Sequence, residues 1–443
     1  MPGRLVNWIA RFEECGFYAC LPFWHQANSL NDLASDANEG SSSWWTYKWY
    51  GDMSGELLSV ESNTDYKELY GLASIDDNKR SVKVLLGGQD GAATVQLENV
   101  TDADSFKDVK NVHIKVESSD YAGMIGTQFE PDTVLEGNFP VNEDGSVIFD
   151  IDNMKFSSSF HVTMTAAADD ADTSVVYTAP YIGYYEAEQG LAEDGAEVHN
   201  RYIGGDHWGA SSYISDDNLV YTRTDGSKLT YTINVPTDGR YELNFIYGNG
   251  EGTTRNTPEE SLSKNLYQDM AVDGEYRETL TMNNTLLTNT TGAKRVFLDL
   301  TAGEHTISLT SKQDGELLHD LLVVKYKGEY GKDIIFDKTY EGEQADFNEL
   351  IGNTSTTVTT KTDDDGTTYI TGLADKKVTE GGGARQSVVV RESGMYNLEF
   401  RYRSAAENKI NVYVGNTATE LSNLVTSAAA PASSSWSTAG ATA

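Results

Sequence analysis

The sequence predicts a mainly β chain built of sandwich-type modules and entered through one helix–strand–helix unit of α/β character. Three observations carry this. Long stretches alternate apolar and polar residues with a period of two. Tyr and Trp, at 25 and 7, outnumber the 14 Phe, an aromatic balance that suits pleated surfaces and also sugar stacking. A block of the second half recurs downstream at a fixed offset.

The elements follow in order. In residues 1–66, Leu5, Trp8, Ile9 and Phe12 recur at helical spacing before Gly16, a helix stop. Phe17 to Trp24 is a continuous apolar run of the kind buried on both faces of a parallel sheet. A polar loop then leads to Trp44-Trp45-Thr46-Tyr47-Lys48-Trp49-Tyr50, a predicted helix. Helix, buried strand, loop, helix is the rhythm of an α/β barrel. One such unit closes no barrel, so the expectation is a chain that begins inside a domain, with 1–66 as the C-terminal end of a truncated (β/α)8 barrel.

In residues 67–180 the period changes to two. Ser81–Leu86, Val112–Val116 and Phe160–Met164 alternate between clusters of Gly, Asn and Asp, which predicts an antiparallel β-sandwich. Residues 181–330 and 331–443 are two copies of one module. Tyr185, Glu186 and Glu188 recur 155 positions later as Tyr340, Glu341 and Glu343, and Gly239, Tyr241, Leu243, Phe245 and Tyr247 recur as Gly394, Tyr396, Leu398, Phe400 and Tyr402. Beyond a deletion of 13 residues the offset becomes 142, so Trp436 is expected to match Lys294 and Ala443 to match Thr301. The second copy then lacks its closing strands, and the polypeptide is expected to be open at both ends.

Composition narrows the function. The chain has 443 residues, 33 basic and 68 acidic, for a formal charge of −35. Such a surface repels phosphates, which excludes nucleic-acid backbone binding as a main activity. No apolar run approaches the length needed to span a membrane. Cys15 and Cys20 are the two cysteines, so no disulfide framework is expected.

Glu186-Ala187-Glu188 places two carboxylates two residues apart, on one face if the segment is a strand. With Asp320, in a predicted closing strand, they would make an oxygen-only cage for calcium. A solvated acidic pair fits the same letters in so acidic a chain.

Tyr185-Glu186-Ala187-Glu188, Ile203-Gly204-Gly205, Ile233–Pro236, Gly239–Leu243, Tyr247–Gly250, Ala271–Gly274 and Leu300–Ile307 occur in that order. Together they resemble carbohydrate-binding modules of families 6 and 35, over about 181–328. The resemblance implies tandem β-jelly rolls with a structural calcium on Glu186, Glu188 and Asp320. It also implies a sugar site in loops at one end of the module. Trp208, Tyr213, Asn249, Lys294 and His319 are the candidate ligand contacts. The sequence departs from the family pattern there, because His319 replaces an Asn and Lys294 stands where a Trp is expected. Trp208, Tyr213 and Asn249 also suit ordinary packing roles.

Leu21-Pro22-Phe23-Trp24 and Trp44 to Gly55, followed by Tyr70–Ser74 and Val84–Gly88, resemble the barrel end and following sandwich of family 39-like glycoside hydrolases. Such enzymes need two carboxylates, one to protonate the leaving oxygen and one to attack the sugar. Neither has a counterpart in this sequence, so no catalytic residue is assigned and this chain alone is expected to be inactive. Trp24 would floor a sugar subsite or pack at the barrel rim. The resulting expectation is polysaccharide binding by calcium-stabilised modules appended to a glycoside hydrolase, outside the cell or at its surface. A non-catalytic adhesin built of the same modules is the alternative.

Overall fold

The computed structural model describes residues 1–18, 39–64, 69–200, 214–215, 218–252, 264–285, 287, 290–331, 336–347, 356–375, 382–390, 394–414 and 424–443. The chain is mainly β, and it divides into two compact units, Met1–Lys332 and Asp333–Ala443.

Two helices open the first unit. Helix α1 (Pro2–Cys15) has a proline in its first turn, buries Val6, Ile9 and Ala10 on one stripe, and ends at Gly16 with φ 66°. Helix α2 (Ser42–Asp52) buries Thr46 and Trp49. Of the strand expected over 17–24, Phe17 and Tyr18 are described, and both are exposed and outside any strand. The rest of that segment, Trp24 included, lies outside the described residues.

Nine strands follow. They are β1 (Glu56–Leu58), β2 (Tyr70–Asp76), β3 (Ser81–Gly87), β4 (Gly91–Leu97), β5 (Asn111–Ser119), β6 (Asp132–Pro140), β7 (Val147–Met154), β8 (Ser159–Ala166) and β9 (Val176–Thr178). Seven of them form an antiparallel sheet in the order β1-β2-β3-β8-β5-β6-β9, and β4 pairs with β7. The period-two pattern divides the faces. Leu72 and Leu85 pack against Val6, Ile9, Ala10 and Trp49 of the helices. Val82, Val84, Leu86, Ile114, Phe160 and Val162 face the other way and meet Val147, Phe149 and Ile151 of β7. His161 lies on the helix side, its ring stacked on Trp49 at 5.2 Å and 14°.

The next eleven strands form two sheets. They are β10 (Ile182–Glu186), β11 (Leu191–Glu193), β12 (Ala196–Asn200), β13 (Asn218–Thr222), β14 (Lys228–Val235), β15 (Gly239–Asn249), β16 (Leu266–Val272), β17 (Glu275–Met282), β18 (Thr291–Leu300), β19 (Gly303–Ser311) and β20 (Leu317–Gly328). One sheet runs β12-β13-β20-β15-β18, with β10 also paired to β20; the other runs β11-β14-β19-β16-β17. Between them lies a jelly-roll core of Leu229, Tyr231, Ile233, Ile307 and Leu309 against Tyr241, Leu243, Phe245, Leu322 and Val324.

Strand β20 is buried on both faces, which explains its unbroken apolar run. Leu322 and Val324 enter the jelly-roll core. Leu321 and Val323 join Ile182 and Ile246 in the core of the preceding sandwich. A buried charge cluster closes this seam. The Lys325 ammonium lies 2.8 Å from Asp120 Oδ2 and 2.7 Å from Asp132 Oδ2. Lys327 pairs with Asp132 and, at 3.5 Å, with Glu242, which also pairs with Arg295 at 3.1 Å. Burial opposes the Asp132 charge, but Lys325 and Lys327 hold its carboxyl well below the usual range. The backbones also touch: Gly123 has φ 80°, and a Cβ there would stand 2.8 Å from the carbonyl oxygens of Thr291 and Gly292.

The second unit repeats parts of this plan. A 3₁₀ turn at Gly342–Gln344 follows Glu341, as one at Ala187–Gln189 follows Glu186. Strands β21 (Thr359–Thr362) and β22 (Thr368–Thr371) pair, as do β23 (Asn397–Ser404) with β26 (Ser433–Thr442) and β24 (Asn408–Tyr413) with β25 (Leu424–Ala430). The pairing corrects one sequence equivalence. Phe245 faces Lys294, but its counterpart Phe400 faces Ala439, so Trp436 sits three residues from the register of Lys294. Side-chain similarity could not see that slip, because it is set by hydrogen-bond pairing. Val358, Ala428, Ala430 and Ala439 are the buried apolar side chains of this unit among its described residues, a thin core.

Two predictions follow from the first unit. Lys325→Met leaves Asp120 buried without its ammonium and Asp132 with Lys327 alone, and should lower unfolding stability by about 3–5 kcal/mol. Denaturant titration of the full chain measures this, and an unchanged midpoint would show the seam to be energetically idle. His161 is shifted downward, mainly by burial, with Glu117 opposing. Protons therefore bind the unfolded chain first. Stability should fall as pH drops below about 6.5, by up to about 1.4 kcal/mol per pH unit, and His161→Phe should flatten that limb. Parallel pH profiles of wild type and variant would refute it.

Candidate functional site

The site best defined by the structure forms where β10 ends. Glu186 pairs in register with Leu321, which brings it beside Asp320 on β20. The strand stops at Glu186, and the 3₁₀ turn Ala187–Gln189 carries Glu188. The Glu-x-Glu pair is thus divided between strand and turn. Both glutamates nevertheless act electrostatically on Asp320 and on Tyr231 beneath them.

Asp320 is fully buried and Glu186 nearly so. Ser215 bridges them. Its backbone N–H donates to Asp320 Oδ1 at 2.8 Å, and its hydroxyl lies 3.0 Å from the same oxygen and contacts Glu186 Oε2. Asp320 Oδ2 is buried with no hydrogen-bond partner among the described residues. Burial pushes the Asp320 carboxyl well up; the hydrogen bonds from Ser215 oppose this, and the charges of Glu186 and Glu188 add to it. Glu186 Oε1 receives the ammonium of Lys155, 2.8 Å away, from the turn after β7. Sequence reasoning missed Lys155, since nothing local links position 155 to position 186.

These oxygens suit a hard cation by donor type and by charge. As the side chains stand, no group of three or more His, Cys, Asp or Glu among the described residues is arranged to hold a metal ion. The cation present at Glu186 is the lysine.

The expected sugar contacts fare differently. Trp208, Tyr213 and Trp24 lie outside the described residues. His319 and Asn249 are fully buried, which corrects their reading as ligand contacts. His319 sits within β20, its Nε2 3.2 Å from Thr222 Oγ1 and from the Gln268 amide, and burial pushes its pKa down to about 3. Asn249 ties loop bases together. Its amide donates to the carbonyls of Lys264 and Met282 at 3.0 and 2.8 Å, and its Oδ1 accepts from the N–H of Glu251. Asn249 satisfies its interior partners on both amide atoms, and His319 does so through Nε2. Lys294 is half-buried within β18, facing the same side as Phe245. Burial lowers its pKa, against the charge of Glu278.

The structure also assembles a surface cluster that no motif announced. On β12, β13 and the turn after β13, the Arg223 guanidinium stacks 4.2 Å from the Tyr221 ring, and the His199 ring meets that ring edge-on at 5.0 Å. Glu197 and Glu316 accept from Arg223 at 3.2 Å each. Glu197, His199, Tyr221 and Arg223 flank in sequence the segment 201–213, which carries Trp208 and Tyr213. In the second unit, Tyr369 packs edge-on against Trp436 at 5.4 Å, with Arg401 and Arg403 about the indole. No described helix is long and apolar enough to cross a membrane.

No protein-family model matches the chain. A 3-O-alpha-D-galactosyl-alpha-L-arabinofuranosidase of Bifidobacterium longum subsp. longum is 27% identical over 256 residues, 56% of this chain and 22% of the relative. A 3-O-beta-L-arabinopyranosyl-alpha-L-arabinofuranosidase of Bifidobacterium pseudocatenulatum is 25% identical over 332 residues, 70% of this chain and 32% of the relative. The chain therefore spans less than a third of the length of either curated relative. Similar solved structures include N2152 from Neocallimastix frontalis, at 28% identity and a TM-score of 0.35 over 38% of this chain and 41% of that one. A family 35 carbohydrate binding module from Clostridium thermocellum is 20% identical, with a TM-score of 0.27 over 33% of this chain and 99% of the module.

The buried and exposed polar groups predict opposite sensitivities. Asn249→Ala should cost about 1–3 kcal/mol, because it leaves buried carbonyls and an N–H unpaired. Glu197→Ala, whose side chain is 61% exposed, should cost under about 1 kcal/mol. Thermal melts of the two variants in the full chain test this, and a reversed order would refute the assignment.

Proposed function

We propose that this chain binds glycans through its jelly-roll module and serves as the non-catalytic part of an arabinofuranosidase-like glycoside hydrolase that works outside the cell. The observation that carries the reading is the match of 70% of the chain to a curated arabinofuranosidase. The ordered module motifs and the jelly-roll fold support it. The proposed ligands are glycans ending in galactosyl- or arabinopyranosyl-substituted arabinofuranose, the chemistry named for the two relatives.

The binding face would combine Trp208 and Tyr213 with the Tyr221–Arg223 stack. Aromatic faces bind the apolar face of a sugar ring, while Arg223, Glu197 and His199 meet its hydroxyls. Lys294, half-buried on the opposite edge strand β18, stands apart from this face. Calcium belongs to the same proposal: Glu186, Glu188 and Asp320 would hold it, and when bound it would neutralise their charge and lock β10 to β20.

A glycan array probed with the full chain tests the reading. It should include arabinofuranosyl ligands with both substituents, together with neutral and uronate-containing controls. Binding should fall at least about tenfold in Trp208→Ala and in Tyr221→Ala, a loss of about 1.4 kcal/mol. No binding above background, or binding indifferent to both substitutions, would leave a structural spacer or adhesin module as the better reading.

A further inference from the structure

The carboxylate cluster is built from the jelly roll, yet its cation comes from another part of the fold. Lys155 is the first residue after β7, in the turn that leads to β8. That turn is fixed at both ends: the N–H of Phe156 donates to Asp90 Oδ1 at 2.7 Å, and the N–H of Ser158 donates to the Lys155 carbonyl at 2.8 Å. From this anchored backbone the side chain delivers its ammonium to Glu186 Oε1. Only 14% of the lysine side chain and 5% of the glutamate side chain remain exposed. A buried carboxylate demands a counter-charge, and here the sandwich supplies it.

We propose that Lys155 is a built-in competitor for the metal position, so that calcium binds this cluster by displacing the Lys155 ammonium from Glu186. The inference rests on the calcium part of the function proposed above and is independent of the glycan part. Its physical basis is the shared oxygen. Calcium takes carboxylate oxygens at roughly 2.3–2.6 Å. An ammonium 2.8 Å from Glu186 Oε1 would then lie within a few ångströms of a divalent ion. Like charges at that distance, away from water, repel strongly. Glu188, and the Asp320 Oδ2 that has no hydrogen-bond partner among the described residues, are the additional oxygens that a divalent ion gains and an ammonium bound at Glu186 does not need.

The full chain, stripped with chelator, is titrated calorimetrically with calcium chloride at fixed ionic strength, as wild type, Lys155→Met and Lys155→Arg. Lys155→Met should bind calcium at least about tenfold more tightly than wild type, and Lys155→Arg should not gain affinity. A second readout follows the lysine itself. Acylation of the Lys155 amine, quantified by peptide mass spectrometry, should accelerate in wild type on saturation with calcium. Equal affinity in wild type and Lys155→Met, or an acylation rate indifferent to calcium, overturns the competition while leaving a calcium site in place. No calcium binding by any of the three proteins overturns both the competition and the calcium part of the functional reading, and leaves the glycan part untouched.

Discussion

The first unit depends on the two-sided burial of one strand. Strand β20 gives alternate residues to two cores, Leu322 and Val324 to the jelly roll and Leu321 and Val323 to the sandwich. Every strand that pairs with it, β10, β13 and β15, is thereby positioned relative to the sandwich as well. Apolar burial on both faces supplies the driving force, and the cluster of Lys325, Lys327, Asp120, Asp132, Glu242 and Arg295 fixes the register of the contact. Two segments with separate sequence signatures therefore behave structurally as one body.

The same strand organises the chemistry. Its run from Leu317 to Val324 is interrupted by His319 and Asp320, and the two fall on opposite sides of the local problem. His319 is absorbed into an interior polar network with Thr222 and Gln268. Asp320 is placed against Glu186 and Ser215, with one oxygen left without a hydrogen bond among the described residues. Burial forces the imidazole to stay neutral and makes the carboxylates seek a cation. The turn after β7 reaches that point because β20 has already docked the two bodies together.

The described residues of the second unit carry parts of the same plan. Its 3₁₀ turn after Glu341 and its β23–β26 pair match the first copy, but its described strands are joined only in pairs and its buried apolar residues are mostly alanines. Small side chains bury little area, so this unit has a weaker hydrophobic contribution per strand than its neighbour. Its aromatic cluster, Tyr369 and Trp436 with two arginines, is at the surface rather than in a core.

Periodicity alone determined the β character of this chain. The alternation at Ser81–Leu86 and Phe160–Met164, the stop at Gly16 and the repeat of Tyr185-Glu186 as Tyr340-Glu341 are all local patterns, and local backbone geometry obeys them. The pairing of β10 with β20, which sets Glu186 beside Asp320, was legible as well, because first and last strands of such a sandwich are neighbours. Tertiary structure decided the rest. Asn249 and His319 look like loop ligands in a list of residue types, but burial is a property of the surroundings and turned them inward. The Trp436 equivalence slipped by three because register is set between strands. Lys155 meets Glu186 across 31 positions, and Arg223 meets His199 across 24, only because a docked sandwich and strand pairing bring them within ångströms. Such contacts follow from long-range packing, which no short window of sequence encodes.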